Sequence, residues 1–206
     1  PPTITAYGGT STYQAGGAGT IYLKSTAQTN GDLILNNNSY SGTAGTAVTP
    51  MLASHTFDNL TLINKASLQM GTGFNLTINN SGAWSPTGSF TASSGTFSAP
   101  NVTSLTLSGG NFTASTGTIS MPALTSLSIA NGTLTYSNPT LFALPSLTTL
   151  TIQTGGVLTH LPSAKTAAPW TKDYYIDFTS GTGGTTPSLT TLTIDGGSIN
   201  VNGKGY

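Results

Sequence analysis

The chain has 206 residues with five Lys, five Asp, no Arg, no Glu and no Cys, and its formal net charge is zero. Charged residues are 5% of it, against about 25% in an ordinary soluble domain. That excludes a basic nucleic-acid footprint, a long solvated helix, disulfide staples and thiolate metal sites. Forty Thr, 24 Ser, 26 Gly and 15 Asn make up half of the chain, while 36% of the residues are hydrophobic. Low charge alone would allow disorder, but the wealth of β-branched and aromatic residues favours strands.

In chain order, the first strand signals are residues 19–23 (GTIYL) and 31–35 (GDLIL), each opened by Gly. Residues 59–62 (NLTL) and 75–78 (NLTI) carry a shared apolar-Thr-apolar core. From residue 100 the chain repeats openly: PNVTSLTL at 100–107, PALTSLSI at 122–129, PSLTTLTI at 145–152 and PSLTTLTI at 187–194 align without gaps. Each copy is followed at a set distance by Gly and an apolar residue: Gly110 and Phe112, Gly132 and Leu134, Gly155 and Val157, Gly197 and Ile199. The last spacing is close to two repeats, so one divergent coil, residues 159–181, lies between.

One repeat cannot bury its apolar face alone. Its period of two puts Leu192 and Ile194 on one side and Thr191 and Thr193 on the other. The Pro sets an extended start, and the Gly is expected where the chain bends at positive φ. Copies stacked about 4.8 Å apart would hide the aliphatic side inside and leave Thr and Ser outside. The expected fold is all-β: a right-handed parallel β-helix with coils of about 22 residues, forming a single solenoid domain over 1–206 in roughly eight coils.

Two family likenesses bear on this. The spacing Leu-x-x-Leu-x-Leu/Ile-x-x-Gly, with residues 142–147 (FALPSL), resembles the leucine-rich repeat, except that Gly stands where that repeat places Asn. The pieces GGAGTIYLK at 16–24, GDLIL at 31–35, FDNLTL at 57–62 and GGSINVNGKGY at 196–206 resemble large secreted bacterial parallel β-helix surface proteins of the adhesin kind. The second likeness implies an architecture, with no shared catalytic residue; the charge-poor, Cys-free composition rich in Thr, Ser, Gly and Asn is what points to an extracellular or bacterial cell-surface location.

Residues 159–181 gather Trp170, Lys172, Asp173, Tyr174 and Asp177 in one long loop. Flat rings such as Trp170 and Tyr174 suit stacking on sugar rings, with Lys172, Asp173 and Asp177 bonding hydroxyls; the competing expectation is a loop that merely covers the flank of the solenoid. On one strand Asp173 and Asp177 would lie about 13 Å apart, beyond the roughly 5–10 Å that glycoside hydrolysis uses. No catalytic residue is therefore assigned. No metal site is either: His55 and His160 are expected on distant coils, and five Asp make a poor calcium cage. No cofactor is expected. The outward pairs Ser104 and Thr106, Ser126 and Ser128, Thr149 and Thr151, Thr191 and Thr193 are expected to form surface columns.

The expected role is a non-catalytic structural or adhesive rod. Its partner would be a polysaccharide or cell-surface glycan, without nucleic acid and without membrane insertion. A polysaccharide-processing β-helix enzyme and an ice-binding protein using the Thr/Ser columns are the alternatives. The chain starts without Met and closes at Tyr206 without an obvious cap. The expectation is a fragment of a longer protein, or subunits that stack end to end as a fibre.

Overall fold

The computed structural model describes residues 3–41, 43, 45–136, 144, 146–163, 189–202 and 204. Among them there is no helix, and none is therefore long and apolar enough to cross a membrane. The chain enters through β1 (Thr20–Leu23) and then winds as a parallel β-solenoid. Its coils are β2 (Asp32–Asn36), β3 (Thr49–Met51) and β4 (His55–Phe57); β5 (Asn59–Ile63), β6 (Ser67–Met70) and β7 (Leu76–Ile78); β8 (Gly82–Trp84), β9 (Ser89–Ala92) and β10 (Thr96–Ser98); and β11 (Val102–Ser108), β12 (Asn111–Ala114) and β13 (Thr118–Ser120). After these come β14 (Ser126–Ala130) and β15 (Thr133–Tyr136), β16 (Thr149–Gln153) and β17 (Val157–His160), and β18 (Thr191–Asp195) and β19 (Ser198–Ile199).

Corresponding strands stack into three faces. One carries β2 and β5, then β8, β11, β14, β16 and β18. The second is a seven-stranded sheet of β3, β6, β9, β12, β15, β17 and β19, and the third holds β4, β7, β10 and β13. The regular part, from β5 to β17, amounts to about five turns. Among the described residues this regular part has fewer coils than the roughly eight expected over the whole chain. One reason is that β1, read as a strand of the repeat, pairs antiparallel with β2 instead of forming a coil; another is that β18 pairs directly with β16 and β19 with β17, so the divergent coil expected at 159–181 does not stand between these rungs, and Thr159 and His160 belong to β17. The leucine-rich alternative is overturned among the described residues. Where that fold would place a convex-side helix, residues 113–120 turn at Gly117 and form β13.

Register places like on like. Trp84, Leu105, Leu127, Leu150 and Leu192 form one inward column, and Leu107, Ile129, Ile152 and Ile194 form the next. In the seven-stranded sheet, Leu68, Phe90, Phe112, Leu134, Leu158 and Ile199 stack. Phe90 lies 4.7 Å from Phe97 and 4.9 Å from Phe112, centroid to centroid, and Trp84 lies 5.7 Å from Phe97, so an aromatic plug fills the middle of the column. Covering decides burial: Leu150 and Ile152 are 0% exposed with a coil on each side, whereas Leu192 and Ile194 on the outermost described rung are 45% and 49% exposed.

The repeat glycines serve close approach more than bending. Gly88, Gly110, Gly132, Gly156 and Gly197 each stand one residue before a strand of the seven-stranded sheet. None of these five has positive φ. A Cβ at Gly110 would sit 1.9 Å from the Gly88 carbonyl oxygen, and one at Gly132 would sit 2.4 Å from that of Gly110. From Gly110 onward the carbonyls of this column are in use: the Thr133 N–H donates to Gly110, Val157 to Gly132 and Ser198 to Gly156. Positive φ falls one residue earlier, at Gly109, Asn131, Gly155 and Gly196. This corrects the expected role of Gly197. It also corrects one register: Leu158 pairs with Leu134, so Gly156 and Leu158, not Gly155 and Val157, continue the columns. The coil containing them has one extra corner residue.

Between β5 and β8 the first face loses its backbone ladder, and side chains replace it. Asn80 Oδ1 accepts the Leu60 N–H at 3.0 Å, and Trp84 Nε1 donates to the Leu60 carbonyl at 2.9 Å. Leu60 thus keeps both backbone groups satisfied inside the protein.

The glycine column makes a sharp comparison. Gly110→Ala is expected to destabilise by about 1–3 kcal/mol, as overpacking against rigid backbone does. Gly9→Ala, where a Cβ meets nothing within 4 Å, is expected to stay within about 0.5 kcal/mol. Urea unfolding midpoints of the two variants check this; equal shifts would contradict the close-approach explanation.

Candidate functional site

The residues expected to bind a glycan, Trp170, Lys172, Asp173, Tyr174 and Asp177, lie outside the described residues. The surface columns do not. Ser104, Ser126, Thr149 and Thr191 stack in register, and so do Thr106, Ser128, Thr151 and Thr193. These side chains point outward because their neighbours along each strand point inward. Rungs stand about 4.8 Å apart, and successive outward residues on a strand about 6.6 Å apart. The result is a patterned face of hydroxyls and methyls. From β11 to β18 these columns bear no charged residue before Asp195, beside Gln153 at the end of the strand.

A further column, which the sequence reading missed, runs along the adjoining seven-stranded sheet. Thr91, Thr113, Thr135 and Thr159 are stacked in register, continuing from Gln69. Beside it run Ser67, Ser89, Asn111 and Thr133. The signal was present as Gly-x-apolar-Thr at 88–91, 110–113 and 132–135, the last two shortly after the repeat segments 100–107 and 122–129. Thr91, Thr113 and Thr135 are half-buried, as outward residues of a flat sheet are. Thr159 differs: it is buried, and its hydroxyl donates to the Asn200 carbonyl.

A second set of hydroxyls is committed to the scaffold. The Thr125 hydroxyl donates to the Thr103 carbonyl at 3.0 Å, Thr148 to Thr125 at 3.1 Å and Thr190 to Thr148 at 3.0 Å. This is the Thr of the Pro-x-Leu-Thr segment in the last three of the four aligned copies, and Thr103 of the first copy supplies the opening acceptor carbonyl. Leu124 and Leu147 beside it are buried and close the corner turns onto Met121 and Leu144. One Thr in each such segment therefore joins its coil to the one before, and the next outward pair is left for solvent.

The carboxylates of the first coils are also committed. Asp58 Oδ2 accepts the backbone N–H groups of Asn30 (3.0 Å) and Gly31 (3.1 Å), while Asp58 Oδ1 accepts Asn30 Nδ2 at 2.9 Å. Asp32 Oδ1 accepts Gln28 Nε2 and Asn59 Nδ2, both at 2.7 Å. These bonds staple the β1–β2 hairpin to the coil of β5. The Asn30 side-chain bond, then its backbone bond and that of Gly31, draw the Asp58 carboxyl down to about 2.

His55 stacks on Phe57 with centroids 5.5 Å apart, and His160 Nδ1 lies 2.7 Å from the Leu161 carbonyl oxygen; the two sit on different sheets and different coils. Among the described residues no three His, Cys, Asp or Glu side chains gather as a metal set. A small pocket bordered by Leu105, Phe112, Ile119, Leu127, Leu134 and Tyr136 presents an apolar surface. No family model, no curated protein and no solved structure matches the chain.

The Asp58 staple has a pH signature. Its folded pKa lies below the ordinary carboxylate value of about 3.9, so the stability it contributes is present above that value and is lost as pH falls through about 2. Asp58→Asn is expected to lower the thermal midpoint at pH near 5. The gap between wild type and variant should close as pH approaches 2. Thermal unfolding followed by circular dichroism across that range measures it; a gap that stays constant would contradict the staple.

Proposed function

We propose that this chain is a non-catalytic extracellular or bacterial-surface β-solenoid, structural or adhesive in role, that meets polysaccharide through an uncharged hydroxyl-rich face. One observation carries the reading: two adjoining sheets present in-register columns of Thr and Ser, and the described carboxylates of the first coils are consumed in internal bonds. A rigid lattice of donors, acceptors and methyl groups suits a long neutral polymer, which offers repeated weak contacts along its length. The charge-poor, Cys-free composition rich in Thr, Ser, Gly and Asn supports the location. The outermost described rung, β18, leaves Leu192 and Ile194 exposed, which supports end-to-end association as part of the same reading.

The columns of Thr91, Thr113 and Thr135 also favour a second reading, ice binding, because methyl and hydroxyl recur there at regular spacing.

Binding to neutral insoluble polysaccharides and to a glycan array tests the first reading. Retention is expected without release of soluble product and with little dependence on salt, since the net charge is zero. Thr113→Glu with Thr135→Glu is expected to weaken retention about tenfold or more, because a buried unpaired carboxylate costs more than about 1.4 kcal/mol. Loss confined to Trp170→Ala and Tyr174→Ala would move the site to residues 159–181. Product release abolished by Asp173→Asn or Asp177→Asn would establish an enzyme instead. Thermal hysteresis lost in Thr149→Tyr or Thr113→Tyr, without polysaccharide retention, would establish the second reading.

A further inference from the structure

The chain contains three Asn–Gly steps, and the structure describes both residues at two of them, Asn30–Gly31 and Asn131–Gly132. The two are held in opposite ways. At the first, Asp58 binds both groups that a rearrangement would need: the Gly31 N–H at 3.1 Å and Asn30 Nδ2 at 2.9 Å. The Asn30 N–H is also bound to the same carboxylate, at 3.0 Å. At the second, Asn131 is exposed on a corner at φ 52°, its backbone N–H donates to the Thr154 carbonyl, and neither its carboxamide nor the Gly132 N–H has a partner among the described residues. Gly155, stacked on the same corner, lacks the Cβ that would fall 2.5 Å from Asn131 Oδ1, so the carboxamide has room.

We propose that Asn131–Gly132 is a site of spontaneous covalent self-modification, whereas Asn30–Gly31 is protected by Asp58. The Gly132 amide nitrogen loses its proton and attacks Asn131 Cγ. The new C–N bond closes a five-membered succinimide as the Cγ–Nδ2 bond breaks, and the side-chain nitrogen leaves as ammonia carrying the proton. Solvent water then adds to either ring carbonyl and opens the ring, leaving aspartate or isoaspartate with one new carboxylate. No oxidant, reductant or enzyme enters the balance. Glycine is the residue that favours the attack, since it puts no side chain beside the nucleophile, and here it is also the residue that coil stacking demands. A Cβ at Gly132 would meet the Gly110 oxygen at 2.4 Å. The fold therefore keeps the reactive step in place. The product matters to a chain of zero net charge, because each conversion adds one negative charge on the corner between the two hydroxyl-bearing sheets. The isoaspartyl product also lengthens the backbone by one carbon there.

The test is incubation of the full folded chain at mildly alkaline pH and physiological temperature, followed by peptide mapping that separates aspartyl and isoaspartyl products. A hydrogen bond that must break first slows a step by about 5-fold, so Asn131 is expected to convert at least ~5-fold faster than Asn30. In urea the two should converge, because the difference belongs to the fold. Asn131→Gly is expected to fold normally, since Gly109, Gly155 and Gly196 hold the same corner in other coils at positive φ, and to show no product at that position. Asp58→Ala is expected to speed Asn30 and leave Asn131 unchanged within the same sample, which separates local release from general unfolding. Equal rates at Asn30 and Asn131 in the native chain, or an unmodified Asn131, would overturn the proposal.

Discussion

Successive coils can share a hydrogen-bond ladder only if their backbones approach to strand spacing all the way round, corners included. The corner before the seven-stranded sheet is the tightest place. There the Gly88 and Gly110 carbonyls point into the space that a side chain of the next coil would fill. Once glycine clears that space, parallel pairing follows on all faces. Each coil then lays its aliphatic residues on those of its neighbours. The core is a consequence of this contact: Leu150 is sealed and Leu192 is half open, although both occupy the same place in their coils.

The hydroxyl groups that dominate the composition divide into two populations by position in the coil. Thr125, Thr148 and Thr190 spend their donors on the carbonyl of the coil before, and so act as rivets. One and three residues on, the strand pleat turns Thr and Ser outward, where each has only water or a partner to bond. Such a surface gains little from electrostatic steering and would bind through many equivalent weak contacts. That physical character underlies the adhesive reading.

Charge is handled as a structural resource. Asp32 and Asp58 hold the only antiparallel pairing between described strands, β1 on β2, against the first regular coils. Where the ladder lapses between β5 and β8, Asn80 and Trp84 take over its bonds. In both places a polar side chain substitutes for a coil that is absent or out of register. The same logic explains why one Asn–Gly step is locked and the other is not: Asn30 lies under the staple, and Asn131 lies on an ordinary corner.

Periodicity alone determined that this is a stacked, all-β solenoid with coils of about 22 residues, because period-two alternation with Gly at a set distance has no other way to bury its apolar side. The inward columns through Leu105, Leu127, Leu150 and Leu192 were readable for the same reason. Three matters were decided only by the folded chain. The antiparallel placement of β1 was one, since a four-residue apolar strand does not state its direction. The slip from Gly155 to Gly156 was another, because a corner absorbs an extra residue and only the ladder shows which residue then faces which. The last was the sorting of Thr into rivets and surface, since identical side chains differ there solely in whether a neighbouring coil's carbonyl lies within reach.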